Sequence, residues 1–153
     1  PKPIAAGLPM GACLCVPALA DTFQKGEHGS TFAGGPLVCR AASVFLDELD
    51  RGLLDNVQEC GHQLREGLQA LQSDFRIVRE VRGRGLMLGL RLHHSAEAVQ
   101  KALYGNGLIV NCTATDVLRI VPPFVITHDQ VQRGLDVLRT TLAAFPGNQQ
   151  EKP

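Results

Sequence analysis

The chain has 153 residues, 44% hydrophobic and 20% charged, which is enough length and apolar content for a buried core and excludes a disordered polar polymer. Fifteen basic residues face fifteen acidic ones, so no general field draws nucleic acid or an anionic membrane surface, and recognition must be local. No apolar run approaches the about 20 residues of a membrane span, and no secretory signal pattern is read.

The first stretch, Pro1-Lys2-Pro3-Ile4-Ala5-Ala6-Gly7-Leu8-Pro9-Met10-Gly11, reads as a loop that is stiff at its prolines and permissive at its glycines. Lys2 is its only charge. Two readings stand: a solvated surface lysine, or an amine under apolar neighbours whose lowered proton affinity makes it an imine-forming nucleophile. The sequence starts inside this loop and without methionine, so a fragment or a processed product is expected. Gly11-Ala12-Cys13-Leu14-Cys15-Val16, ended by Pro17, suits a buried strand. From Asp21 to Gly35 the chain turns polar and glycine-rich, and no regular element fits. Its part His28-Gly29-Ser30-Thr31-Phe32-Ala33-Gly34-Gly35 offers hydroxyls and N–H groups around glycines, which suits either an anion such as phosphate or an ordinary connection. It is neither a P-loop nor a dinucleotide fingerprint. His28 reads as a structural hydrogen-bonder.

Pro36 suits the first position of a helix, and Leu37, Ala41, Val44, Phe45 and Leu49 recur behind it, predicting a helix from Pro36 to Asp50. Gly52 interrupts. A second amphipathic helix follows on Leu54, Val57, Cys60/Gly61, Leu64, Leu68 and Leu71, a core-packing stripe too short for a coiled coil. Residues 75–82 and 86–92 read as two strands around Gly83-Arg84-Gly85. The five arginines from Arg76 to Arg91 have no interleaved aromatics, so they read as a solvated or salt-bridged face, not as a nucleic-acid platform.

Ser95 is the expected cap of a helix through Tyr104, stopped by Gly105-Asn106-Gly107. Leu108-Ile109-Val110-Asn111 and Val117-Leu118-Arg119-Ile120-Val121 read as further strands. Arg119 stands amid apolar strand residues, so it is expected to face a carboxylate of protein or substrate, which its planar fork grips with paired hydrogen bonds. Thr127-His128-Asp129-Gln130 has the form of a capping box, opening a helix on Val131, Leu135, Leu138 and Leu142 that ends near Pro146. Residues 148–153 read as a disordered tail. The later half is thus strand pairs interleaved with helices, an α+β pattern.

Cys13, Cys15, Cys39, Cys60 and Cys112, odd in number and in mostly apolar contexts, predict buried free thiols in a reducing compartment. No second pair completes a zinc set around Cys13-x-Cys15, and Asn111-Cys112-Thr113 is a bare sequon without secretory context.

Four ordered stretches together resemble the C-terminal part of the class III, pyridoxal-phosphate-dependent aminotransferases: residues 2–12, His28–Gly34, Val81–Gly89 (VRGRGLMLG) and Leu118–Ile126 (LRIVPPFVI). Within the class they are most similar to the acetylornithine aminotransferases, with ornithine, succinylornithine and 4-aminobutyrate aminotransferases as near relatives. The resemblance implies an α/β chain, the C-terminal portion of a fold-type I transferase. Residues 1–50 would be a remnant of the large cofactor-binding domain and 51–147 an α+β small domain with antiparallel strand pairs and helices. It implies pyridoxal 5'-phosphate as cofactor, Lys2 as its Schiff-base lysine and proton shuttle, and Ser30 and Thr31 as hydroxyls reaching the cofactor phosphate of the neighbouring subunit in a homodimer. Arg119 would bind the α-carboxylate of the substrate. The implied reaction moves an amino group from N-acetylornithine, or a related ω-amino donor, to 2-oxoglutarate to give glutamate, in arginine biosynthesis. It implies neither metal, nucleic acid nor membrane, and a cytoplasmic setting, or a mitochondrial matrix or plastid one in a eukaryote. Ala33-Gly34-Gly35-Pro36 stands where many relatives read Gly-Gly-Asn-Pro, a departure that touches local loop contacts. The family's phosphate loop, ring-stacking aromatic and strand aspartate precede Lys2, so the isolated chain is expected to be inactive or nearly so. A non-catalytic module pairing with a full-length subunit is the alternative.

Overall fold

The computed structural model describes residues 4–145, and the chain divides into two compact units, Pro1–Gly52 and Leu53–Pro153. The first unit is mostly turns, with a single turn of 3-10 helix at Pro17–Leu19 and one α-helix, α1 (Pro36–Glu48). Proline opens α1, as its fixed φ and missing N–H favour. A wider turn, Leu49–Leu53, ends the helix short of the predicted Asp50, because Gly52 takes φ +105°, which a side-chain-bearing residue rarely adopts.

The strand expected at residues 11–16 does not form. Leu14 is 91% exposed, and Cys13 and Cys15 are exposed with it. A strand needs a neighbour for its N–H and C=O groups, and every strand among the described residues lies in the second unit. The thiols are free as expected but not generally buried: only Cys60 is, while Cys39 and Cys112 are half-buried. Apolar sequence context did not translate into burial where no second element covers it.

The second unit is a four-stranded antiparallel sheet with helices on one face. Its elements are α2 (Leu54–Asp74), β1 (Val78–Arg84), β2 (Met87–Leu92), α3 (Glu97–Gly105), β3 (Asn111–Thr113), β4 (Val117–Ile120) and α4 (His128–Ala143), with strand order β1-β2-β4-β3. The two expected strand pairs merge into one sheet because β2 pairs with β4 through Leu88↔Ile120, Gly89↔Arg119 and Leu90↔Leu118. Side chains alternate across a strand, so Leu88, Leu90, Leu92 and Leu118 point to one face. There they form the core with Leu64, Leu68 and Leu71 of α2, Val99 and Leu103 of α3, and Val131, Leu138 and Leu142 of α4. Each such leucine contributes about 1.5–3 kcal/mol by burial.

Glycines set the closest approaches. Gly85, at φ +53°, opens the two-residue β1/β2 turn. A Cβ at Gly61 would lie 2.7 Å from the Gly85 carbonyl carbon, so α2 docks on this turn only through a bare backbone. The capping box of α4 forms in both directions: Gln130 N–H donates to Thr127 Oγ1 (3.3 Å) and Thr127 N–H to Gln130 Oε1 (3.0 Å). The predicted end of α4 near Pro146 lies outside the described residues, as does the 148–153 tail.

Two boundaries shift. The N-cap of α3 is Ala96, not Ser95, whose Oγ accepts a long bond from Glu97 N–H (3.4 Å). The strand expected at Leu108–Asn111 begins only at Asn111. Helix α3 takes the earlier backbone groups instead, through Leu108 N–H to the Leu103 carbonyl (2.9 Å) and Gln100 Nε2 to the Val110 carbonyl (2.9 Å).

Candidate active site

Lys2 lies outside the described residues. Ser30 and Thr31 belong to the first unit and Arg119 to the second, so within one unit only the hydroxyl pair is assembled.

The hydroxyl pair stands in a loop that braces itself. Gln24 N–H donates to Glu27 Oε2 (2.7 Å), Glu27 N–H returns to the Gln24 carbonyl (3.1 Å), and the Phe23 ring packs against His28 at 5.4 Å between centroids. His28 thus meets an aromatic ring, a contact that the hydrogen-bonding role read from sequence did not include. Ala33 N–H then closes a turn on the Ser30 carbonyl (3.3 Å), and Gly34 takes φ +67° before α1 begins. Ser30 and Thr31 are exposed on this turn. Gly35, the N-cap of α1, offers no side-chain bond, and the first turn has no acidic residue, so the positive helix end is not neutralised by its own residues.

Arg119 is carried by β4 between Leu118, which is fully buried, and Ile120. Alternation sends it to the face opposite the helices, where it is exposed. The burial expected of it is therefore corrected: it is not desolvated, and of the two expected partners, a carboxylate of protein or of substrate, none of the ion pairs among the described residues supplies the first. The end of β4 is fixed from the helical side. Asn56 of α2 donates from Nδ2 to the carbonyls of Phe124 (2.7 Å) and Ile126 (3.1 Å), and the Cys60 thiol, pushed up in pKa by burial, donates to the Ile126 carbonyl (3.4 Å). The segment after Pro122-Pro123 is thereby tied to α2 on both sides of Val125.

The outer face of the sheet has two rows of different electrostatic character. In one, Glu80 stands opposite Arg91 and Arg91 opposite Val117. Arg91 Nε donates to Asp116 Oδ2 (2.8 Å); that hydrogen bond holds the Asp116 carboxyl below its ordinary range and Arg91 above its own. In the next row, Arg82 stands opposite Gly89, Gly89 opposite Arg119, and Arg119 opposite Asn111. This row has two cations and no acid, and Arg82 also takes part in none of the described ion pairs.

Sequence reasoning placed the Arg76–Arg91 arginines on a solvated or salt-bridged face, which holds for Arg91, but it did not connect Arg82 with Arg119. The signal was the glycine in Leu88-Gly89-Leu90, a missing side chain at an outward position, readable only once the register was known. Among the described residues no group of three or more His, Cys, Asp or Glu side chains is placed to hold a metal ion, and no helix is long and apolar enough to cross a membrane.

Comparison with known proteins matches this arrangement to a family. The acetylornithine aminotransferase of Aquifex aeolicus is 44% identical over 142 residues, covering 92% of this chain and 36% of the relative. The crystal structure of acetylornithine aminotransferase from Elizabethkingia anophelis superposes with a TM-score of 0.77 at 30% identity, over 82% of this chain and 33% of that one. An ornithine aminotransferase from Toxoplasma gondii, solved with partial occupancy of PLP at its active site, superposes with a TM-score of 0.75 at 31% identity, over 81% of this chain and 30% of that one. The chain thus spans about a third of the length of the proteins it matches, and its helices and antiparallel sheet are part of a PLP-dependent transferase fold. The profile of the family described as Aminotransferase class-III runs over residues 1–142, and the chain belongs to that family.

Proposed function

We propose that this chain is the C-terminal part of a pyridoxal-phosphate-dependent aminotransferase that moves the ω-amino group of N-acetylornithine to 2-oxoglutarate, yielding glutamate, in arginine biosynthesis. The observation that carries the reading is the 44% identity to an acetylornithine aminotransferase across 92% of the chain. Residues 1–50 belong to the large domain and 51–147 to the small one, and the working enzyme is a homodimer in the cytoplasm, or in a mitochondrial matrix or plastid.

The residues present fit the cofactor's demands in part. Exposed Ser30 and Thr31 hydroxyls on a glycine-flanked turn, ahead of a helix end with no acid of its own, are suited to a phosphate. When bound, pyridoxal 5'-phosphate supplies an electron sink for the substrate α-carbon. Lys2 would hold the cofactor and move the proton at that carbon, while Ser30 and Thr31 would donate to its phosphate across the subunit boundary. Arg119, outward on β4 and without a protein acid, orients the substrate by its α-carboxylate.

The test is amino transfer by the full-length protein with N-acetylornithine, ornithine, succinylornithine and 4-aminobutyrate as donors. N-Acetylornithine should give the highest kcat/KM, and Lys2→Ala should lower turnover by at least about a thousandfold. The likeness to the Toxoplasma ornithine aminotransferase favours a second reading, with ornithine as donor, and a higher kcat/KM for ornithine selects it. Failure of every donor overturns both.

A further inference from the structure

We propose that Arg82 is a second carboxylate-binding residue, acting with Arg119 across the gap left by Gly89 so that both guanidinium groups grip one carboxylate of an oxo-acid or amino-acid substrate. The proposal rests on the assignment of Arg119 to a substrate carboxylate and adds a residue to that site.

Three observations carry it. The first is register. Arg82 pairs with Gly89 and Gly89 with Arg119, so directly opposed residues put both arginines on the same face of the sheet. Two strand spacings set their Cα atoms about 10 Å apart, a span that two arginine side chains close between them.

The second is the direction of the Arg82 side chain. The point where a Cβ would stand on Gly89 lies 3.6 Å from Arg82 Cγ and 3.8 Å from Arg82 Nε, so the side chain lies over β2, toward β4. The same point lies 3.2 Å from Val117 Cγ1. Gly89 is therefore a floor between a hydrocarbon wall and a guanidinium arm, and a larger side chain there would take the space the arm crosses.

The third is charge. The acids of this face serve the neighbouring row, where Asp116 is bonded to Arg91 and Glu80 stands opposite it. Two guanidinium groups brought over one glycine repel each other in water, and a carboxylate between them turns that repulsion into two charge-assisted contacts. A carboxylate has two oxygens and can accept a paired donor from each side. Asn111, next in the row beyond Arg119, adds an uncharged donor at the sheet edge.

The experiment follows the arginine Nε–Hε signals of the full-length protein by NMR while 2-oxoglutarate is added, with the dissociation constant measured in parallel by calorimetry. Arg82 and Arg119 should shift together and fit one constant. Arg119→Ala should remove binding, and Arg82→Ala should weaken it about tenfold, the loss of one charged hydrogen-bond partner. Arg82→Lys should recover part of that loss. Arg84→Ala, on the same strand and face but outside the row, should change nothing, and unchanged melting temperatures would show that each variant keeps its fold. If Arg119 shifts and Arg82 stays still, with Arg82→Ala binding like the parent, the proposal is overturned and the Arg119 assignment survives. If neither signal moves, both fall. If Arg84→Ala and Arg82→Ala weaken binding equally, the face attracts anions by general charge alone and the proposal is again overturned.

Discussion

Leu14 and Leu68 are the same side chain in two settings. Leu14, in the first unit, is 91% exposed, whereas Leu68, on α2, is fully buried among the leucines of the sheet. The contrast extends across the units. Phe32 and Leu37 of the first are 90% and 76% exposed, and only Ala5 and Ala42 are buried among its described residues, while the second closes a core from seven elements. Apolar content alone does not decide burial; periodicity against a partner does. Helices α2, α3 and α4 each present a stripe, and β2 and β4 present alternating leucines to meet it. Among its described residues the first unit has one α-helix, a single 3-10 turn and no strand, so its apolar side chains find no opposing layer within their own unit.

The largest expected effect tests this contrast directly. Leu68→Ala should cost about 2–5 kcal/mol in urea or thermal unfolding, because a fully buried leucine loses its transfer energy and leaves a cavity. Leu14→Ala should stay within about 0.5 kcal/mol in the same measurement. Comparable losses from the two would mean that Leu14 is packed in solution, and the contrast between the units would collapse.

The helix starts give a finer version. In the second unit α4 begins with a reciprocal capping box, whereas α1 begins at Gly35-Pro36 with no side-chain bond. Thr127→Ala should lower the stability of the second unit by about 1 kcal/mol, since the Gln130 N–H loses its acceptor at the first turn. Thr127→Ser, which keeps the oxygen, should recover most of it. A loss from both substitutions alike would assign the effect to the threonine methyl rather than to the cap.

What could be read from the sequence follows the same division. The amphipathic stripe of α2, the capping box at Thr127 and the stop at Gly105-Asn106-Gly107 are local signals, and each stands in the structure where it was read. The strand read at residues 11–16 failed because an apolar run carries no record of whether another strand lies beside it. Arg119 was singled out correctly as a residue in a strand, yet its reason was wrong: its neighbours in sequence are apolar, but its own side of the sheet is open. Arg82 was grouped with four other arginines of one run. Only the pairing of β1 with β2 and of β2 with β4 separates it from Arg91, because long-range register is fixed by core leucines far apart in the chain.

The smallest effect concerns Asp116, and it separates ion pairing from turn geometry on the sheet's outer face. Ala114 and Thr115, just before it, take φ +48° and +67°, a conformation that costs side-chain-bearing residues energy. The turn is held by Ala96 N–H to the Thr115 carbonyl (2.9 Å), Leu92 N–H to the Asp116 carbonyl (2.8 Å) and the Arg91 ion pair. The Arg91 hydrogen bond lowers the Asp116 pKa from its ordinary value of 3.8, so the folded state binds this proton less readily than the unfolded chain does. The resulting stability is fully present above the ordinary carboxylate value and is lost as pH falls through the lowered one. Asp116→Asn keeps an oxygen for Arg91 but removes the charge. Its melting temperature should lie below the parent's at neutral pH, and the gap should close in acid and narrow in high salt. A gap that stays constant from neutral to acid pH would place the contribution of Asp116 in holding the left-handed turn rather than in its charge.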